Sequence, residues 1–388
     1  MDVSKILSLL PDGLLEDLAV ETQVNKYSKK LQGEVIFKLL LLCILSHKEN
    51  SLRTMESAYE SMVFQLLNAD KNKGSVRYNS ISERLSSIDA SYFEKIYHAC
   101  VSIYEPLFEL TKKQPVRFDS TIVTLSSKLL EVGYLLKGGD AQNVRQLKFT
   151  IGLSHIPVSV HFFNEQKYTS ENIALKESIL SYKPRQQDVI RIFDKGLNSR
   201  KTYDEFTEKG IPFISKINTN SKHDLVIANT LVSNINTPTL IIESDTWVYL
   251  YTERGRALHP VRCIKAKIKS SGEEIIFVSN IKDISCAEMS ELYKMRWDIE
   301  VFFKFLKQEL NFSHLINRSE NGIRIILYMT MIASILLFVY KAQNNLKGYK
   351  IMKLKFVQDI EKLVTIDIVK MCGGDPQKAG KILNINTS

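Results

Sequence analysis

Between residues 115 and 217 the apolar periodicity switches repeatedly, and this constrains the fold more than any other feature of the 388-residue chain. Segments 116–124, 147–154 and 157–163 are short, rich in β-branched and aromatic residues, and read as three strands. The pattern then predicts a helix near 172–182, a strand at 188–193, a helix at 199–209 and a strand at 212–217, with Pro184 and Gly210 as punctuation. Strands followed by alternating helices and strands require a layered α/β arrangement. In such open sheets ligands gather beyond the carboxyl ends of strands. Two acidic residues occupy suitable positions: Asp119, among apolar neighbours in the first strand, and Asp194, at the end of the fourth, just before Lys195-Gly196. Either could equally be a strand-end turn residue, so their context has to decide.

Residues 285–310 supply that context. Tyr293, Arg296, Glu300, Lys304 and Lys307 follow one another at steps of three, four, four and three. On one continuous helix they fall within roughly 80° of each other, placing one carboxylate in a column of three cations and a phenol. An ion-pair ladder on a solvated helix is the simpler reading. Against it, Leu292, Met295, Ile299, Val301, Phe302, Phe303, Phe305 and Leu306 make the other faces apolar, so the helix is expected to be buried. A polar stripe on a buried helix needs partners or a cleft. Three carboxylates meeting at one point form an all-oxygen site suited to Mg2+ or Mn2+.

The order Asp119, Asp194, Glu300 resembles that of the DDE transposases, which carry it on an RNase H-like fold. Tyr293, Arg296, Glu300 and Lys307 match the signature Y-x2-R-x3-E-x6-K of the insertion-sequence four (IS-four) group of bacterial transposases, to which the transposon five transposase belongs. Phe118-Asp119-Ser120-Thr121 and Asp194-Lys195-Gly196 resemble that group's two Asp motifs. The similarity covers roughly residues 115–340. It implies cut-and-paste movement of a DNA element with two divalent cations, Asp119 bridging both, Asp194 holding one and Glu300 the other. Tyr293, Arg296, Lys304 and Lys307 are then DNA-binding residues. The implied partners are double-stranded DNA, as terminal inverted repeats and target, and a second copy of the chain in a homodimeric synaptic complex. The implied location is the bacterial cytoplasm, at the nucleoid. An RNase H-like nuclease or resolvase without strand transfer, a catalytically silent DNA-binding protein, and a helical structural protein with an ion ladder remain as alternatives.

The fold expected is thus α/β, with an RNase H-like core and an all-helical N-terminal domain. Residues 1–114 read as a helical DNA-binding domain, with helices near 14–22, 33–47, 52–67 and 92–110 and with Lys71, Lys73, Arg77 and Arg84 as candidate phosphate contacts. Residues 115–217 form the first part of the core. Residues 218–284 read as a β-rich insertion between the second Asp and the Glu, with separate strands at 239–244 and 246–252. Residues 285–345 complete the core, the apolar helix 322–344 packing beneath the signature helix, and 346–388 form a helical tail.

The balance of 52 basic to 43 acidic residues, a net +9, fits a polyanionic partner without demanding one. Five scattered cysteines form neither a disulfide framework nor a zinc cluster, and the first residues do not read as a signal peptide. The apolar runs 36–45 and 325–340 fall short of the roughly twenty residues a membrane span needs, so both are expected as buried helices, with no membrane. His155, His161, His259 and His314 lack metal-ligand spacing, and Lys137-Gly-Gly-Asp140 reads as a turn. Trp247 and Trp297 read first as core residues, with base stacking as the alternative.

Overall fold

The computed structural model describes residues 9–46, 50–68, 74–108, 115–125, 133–135, 145–185, 188–228, 235–252, 255–312 and 315–383. Lys71, Lys73, His314 and the turn at 137–140 lie outside them. The chain divides into a helical unit and a sheet unit.

The helical unit runs to Phe108 and resumes at Phe303. Its helices are α1 (Leu14–Glu21), α2 (Gly33–Ser46), α3 (Leu52–Glu60), α4 (Met62–Leu67), α5 (Tyr78–Ser87) and α6 (Ala90–Tyr104). The stretch expected as one helix at 52–67 breaks at Ser61, which turns to an extended ψ of 146° and accepts from the amide of Phe64 to cap α4. From Val35 to Leu45, α2 is buried on every face except at Lys38, which pairs with Glu34 at 2.5 Å. Gly33 lets this helix start against its neighbours, since a Cβ there would come within 2.7 Å of Val24 and 3.0 Å of the Tyr92 ring.

Later in the chain come α11 (Glu320–Gln343), α12 (Tyr349–Met371) and α13 (Pro376–Ile382). Among the described residues α11 alone is long and apolar enough to cross a membrane, yet 94% of its most apolar stretch is buried inside the protein. It packs among α2, α5, α6 and α12. Asn317 and Asn321 tie its start to α5, donating to the carbonyls of Ser82 (3.0 Å) and Leu85 (3.1 Å). Against the signature stretch it sets Phe338 on Phe305, with ring centroids 6.1 Å apart, and its apolar surface also packs against the N-terminal helices.

The sheet unit follows the predicted order closely. It comprises β1 (Pro115–Leu125), β2 (Tyr134–Leu135), β3 (Arg145–Leu153), β4 (Pro157–Phe163), α7 (Glu171–Ser181), β5 (Ile190–Phe193), α8 (Arg200–Glu208) and β6 (Phe213–Ile217). Then come β7 (His223–Ala228), β8 (Ile235–Asn236), β9 (Leu240–Thr252), β10 (Gly255–Arg256), β11 (Val261–Ile268) and β12 (Glu274–Ser279). The strand order is β10-β9-β11-β12-β6-β5-β1-β3-β2, with β4 on β3 and with β7 and β8 on β9. Among the described residues only the β1–β5 and β5–β6 pairings are parallel.

Residues 218–284 therefore prolong the main sheet: β12 pairs with β6, Ile276 opposite Ile217 and Ser279 opposite Ile214. The two strands expected at 239–252 are the single strand β9. Asp245, which reads as a break, is buried and held by Arg262 of β11 through Nε (2.8 Å) and a second guanidinium nitrogen (2.6 Å). With its charge matched by a bidentate partner, the strand passes through. Arg262 also donates to the carbonyl of Ile284 at 2.6 Å, fixing the chain just before α9 (Cys286–Lys294). The Ser285 hydroxyl caps that helix by accepting from Glu288 N.

Candidate active site

The signature stretch is not one helix. After α9 the chain tightens, with Arg296 N donating to Tyr293 O at 2.9 Å, Asp298 N to Met295 O at 3.1 Å and Ile299 N to Arg296 O at 3.2 Å, before α10 (Trp297–Glu309) begins. Such i to i+3 bonding closes a turn on three residues and eclipses side chains three apart. No Pro or Gly marks this joint. Tyr293 thus ends one helix, Arg296 sits in the joint, and Glu300 lies in the first turn of the next. Lys304 and Lys307 stand exposed on α10, about one and two turns past Glu300. Met295, read as part of the apolar surface, is 37% exposed, whereas Ile299, Phe302, Phe303, Phe305 and Leu306 are buried.

Asp119 and Asp194 come together through strand register. Phe118 of β1 is the partner of Phe193 of β5 in a parallel ladder, and each is followed by an aspartate. Neighbouring strands run about 4.8 Å apart, so the two acidic residues leave the sheet side by side. There β5 stops, while β1 continues to Leu125, paired among the described residues with β3. Asp119 accepts from the amide of Ser120 at 2.8 Å, and the Ser120 hydroxyl turns to Thr150 at 2.8 Å. Burial pushes the Asp119 carboxyl up to about 6; the Ser120 amide opposes, Glu171 adds to the rise, Arg296 opposes, and Asp194 adds to it again.

Each remaining acid has a named partner. The Tyr293 hydroxyl donates to Asp194 Oδ1 at 3.3 Å. Burial, then the Asp194 charge, raise the Tyr293 phenol well above its ordinary value, so it stays a donor. Arg296 donates to Glu300 Oε1 at 2.6 Å. Its own Nε is buried with no hydrogen-bond partner among the described residues, leaving donor capacity for a further anion. Among the described residues no group of three His, Cys, Asp or Glu side chains is arranged to hold a metal ion. The structure brings Asp119 and Asp194 together and keeps Glu300 on Arg296.

Two charged residues beside this set escaped the sequence reading. Lys216 of β6 holds Nζ 5.0 Å from the centre of the Tyr293 ring; burial lowers its proton affinity and Asp194 works against that. Glu171, the first residue of α7, is bound to Lys148 of β3 at 2.9 Å. The available signal was a lone lysine within an apolar strand in each case, Ile214-Ser-Lys216-Ile and Leu147-Lys148-Phe. Trp297 is not a core residue, being 61% exposed beside Arg296; Trp247 is half-buried on β9.

In the helical unit Arg84, expected as a candidate phosphate contact, is half-buried. It is turned inward as a strut, donating to the carbonyls of Leu31 (2.8 Å) and Val24 (2.5 Å). Arg77 pairs with Glu56 at 3.2 Å while remaining largely exposed. Both belong to an open cleft of about 670 Å³ whose rim carries Lys26, Tyr27, Lys29 and Lys30.

The chain matches the family model described as the transposase DDE domain over residues 112–336, a span containing Asp119, Asp194, Tyr293, Arg296 and Glu300. It is similar to a protein of Synechocystis sp. named as a transposase for insertion sequence element IS4SA, with 23% identity over 314 residues, 74% of this chain and 83% of that one. A protein of Geobacillus stearothermophilus named as a transposase for insertion sequence element IS5377 is 25% identical over 171 residues, 44% of each chain. A third, the transposase y4zB of Sinorhizobium fredii, is 30% identical over 87 residues, 22% of this chain and 24% of that one.

Proposed function

The chain belongs to the DDE transposases of the insertion-sequence IS4 type and is a DNA transposase, and from that premise we propose that it cuts DNA at the ends of its element and joins them to target DNA, with Asp119, Asp194 and Glu300 as its catalytic residues. The observation that carries this reading is the register of β1 on β5, which leaves two aspartates side by side past paired Phe118 and Phe193. We read β1 to β6 with α7 and α8 as an RNase H-like core, and β7 to β12 as its β-rich insertion, grown onto β6.

The donor set fits Mg2+ or Mn2+: all carboxylate oxygen, with neither thiolate nor imidazole. Burial and neighbouring negative charge already burden the Asp119 carboxylate, and a divalent cation relieves that burden. Asp119 would hold both of two ions, Asp194 one and Glu300 the other. Bound there, the ions supply Lewis acidity that activates the attacking hydroxyl and stabilises the leaving oxygen. The side chains do the rest. Arg296 exchanges Glu300 for a DNA phosphate, which a guanidinium grips bidentately, and Glu300 is freed for the centre. Tyr293 steadies Asp194, Lys304 and Lys307 offer charge to flanking phosphates, and Trp297 offers a stacking face to a base displaced from the duplex.

The helical N-terminal segment supplies the DNA grip. Lys26, Lys29 and Lys30 are exposed around the cleft, and Tyr27 between them has φ 65° with 93% of its surface exposed. A left-handed backbone is strained for an aromatic residue; so exposed a ring gains little packing to offset it, and contact with a DNA backbone would. A homodimer pairs the two element ends, and the work is done in the bacterial cytoplasm at the nucleoid.

Single replacement of Asp119, Asp194 or Glu300 by Ala tests the reading, with cleavage of end DNA and strand transfer of pre-cleaved ends as separate assays. Each variant is expected to lose several orders of magnitude in both. Full activity in any of the three refutes the site, and cleavage without joining by the unaltered protein identifies a nuclease.

A further inference from the structure

Lys148 is 2% exposed in the middle of β3, between Leu147 at 0% and Phe149 at 1%. Its Nζ lies 2.9 Å from Glu171 Oε2 and 3.0 Å from the carbonyl of Thr169. Sinking an ammonium into a sheet is costly even when it is paired, and apolar residues at both places often stabilise at least as well. Stability therefore gives little reason for the pair, which directs attention to what it positions.

Only one oxygen of Glu171 is engaged. Oε1 is buried and has no hydrogen-bond partner among the described residues, a costly state for a charged group. The side chain lies over Gly196, two residues past Asp194: a Cβ at Gly196 would come 2.9 Å from Glu171 Cγ. The glycine is thus required for closeness, since its backbone is not in the left-handed region. Its anchor Lys148 is the register partner of Ile122 on β1, three residues past Asp119. An anchored carboxylate with a spare buried oxygen therefore lies over the chain that follows Asp194 and is tied to the strand paired with that of Asp119.

We propose that Glu171 is a positioning carboxylate of the divalent-cation centre, with Oε2 locked on Lys148 and Oε1 reserved for the outer coordination sphere of the cation held by Asp119 and Asp194. This rests on the proposed metal-dependent reading of those aspartates. It adds a fourth acid to the three in the Asp-Asp-Glu set and gives the buried lysine a purpose.

Glu171→Gln is the test. Its amide oxygen keeps the bond from Lys148, while its NH2 places a donor where an acceptor stood. In the full-length protein, Mn2+ binding followed by electron paramagnetic resonance is expected to weaken by about 10- to 100-fold, the usual loss when an outer-sphere partner of a metal is removed. The Mg2+ concentration for half-maximal cleavage should rise by the same factor; because Lys148 loses its counter-charge, the unfolding midpoint in EDTA should fall, so binding is read at a temperature where circular dichroism shows the variant folded. Glu171→Asp, which keeps the charge and withdraws it by one methylene, should weaken Mn2+ binding in the same direction and carries the test if the Gln variant fails to fold. Unchanged Mn2+ affinity in a folded variant overturns the proposal. If Asp119→Asn also binds Mn2+ unchanged, the metal reading of the aspartates has failed; if Asp119→Asn loses binding and the Glu171 variants keep it, only the role of Glu171 has.

Discussion

Asp119→Asn should make the metal-free protein more stable while destroying its activity. The carboxyl moves from an ordinary 3.8 to about 6 on folding, chiefly through burial. A folded-state value above the unfolded one means that the fold prefers the neutral acid. The cost of ionising Asp119 is therefore absent below about pH 4, grows between pH 4 and 6, and is complete above. At about 1.4 kcal/mol per tenfold change in proton affinity it reaches about 3 kcal/mol, and water reaching this half-buried group reduces the expected value to about 1–3 kcal/mol. Asparagine never ionises, and its oxygen can keep the Ser120 amide. Urea unfolding in EDTA should place Asp119→Asn above the unaltered protein by that margin at pH 7.5, with the gap closing near pH 4. Adding Mg2+ should stabilise only the unaltered protein. An asparagine variant that is less stable at pH 7.5, or a gap that ignores pH, refutes the argument that this carboxylate is held against its own desolvation.

Asp245→Ala leaves Arg262 charged and buried, so urea unfolding should show a loss of about 3–5 kcal/mol. Trp297→Ala removes an exposed side chain and should change stability by no more than about 0.5 kcal/mol, yet weaken binding of an end with an unpaired base by about 1–3 kcal/mol in a fluorescence titration. Replacing Lys26, Lys29 and Lys30 together by Gln should lower the slope of log affinity against log salt for duplex DNA by about one for each phosphate no longer neutralised, with unfolding unchanged; an unaltered slope removes the cleft from the DNA interface.

The core of the sheet unit was readable because its elements are short, strongly apolar and separated by clear breakers such as Pro184 and Gly210. Local pattern is enough there, and it puts Asp119 within its strand and Asp194 at the end of its own. What was lost depends on contacts distant in sequence. Asp245 looks like a strand break until Arg262, seventeen residues on, neutralises it. Arg84 looks like a free cation until Leu31 and Val24 take its donors. The apolar pattern of α11 announces burial and does not name the partners, among which are the N-terminal helices. The joint at Met295–Arg296 has no sequence mark, because a tightened turn needs no special residue. Lys148 and Glu171 were passed over for a related reason: a buried ion pair leaves no periodic trace.

In the proposed reaction the carboxylates of Asp119, Asp194 and Glu300 share a pair of hard cations once Arg296 has exchanged its partner for DNA. The most direct measurement is the anomalous scattering of Mn2+ in crystals of the protein bound to end DNA. Two manganese peaks are expected about 4 Å apart, each about 2.1 Å from carboxylate oxygens, with Asp119 touching both and Glu300 released from Arg296. Manganese bound elsewhere, with Glu300 still on the Arg296 guanidinium and phosphate in place, would contradict it.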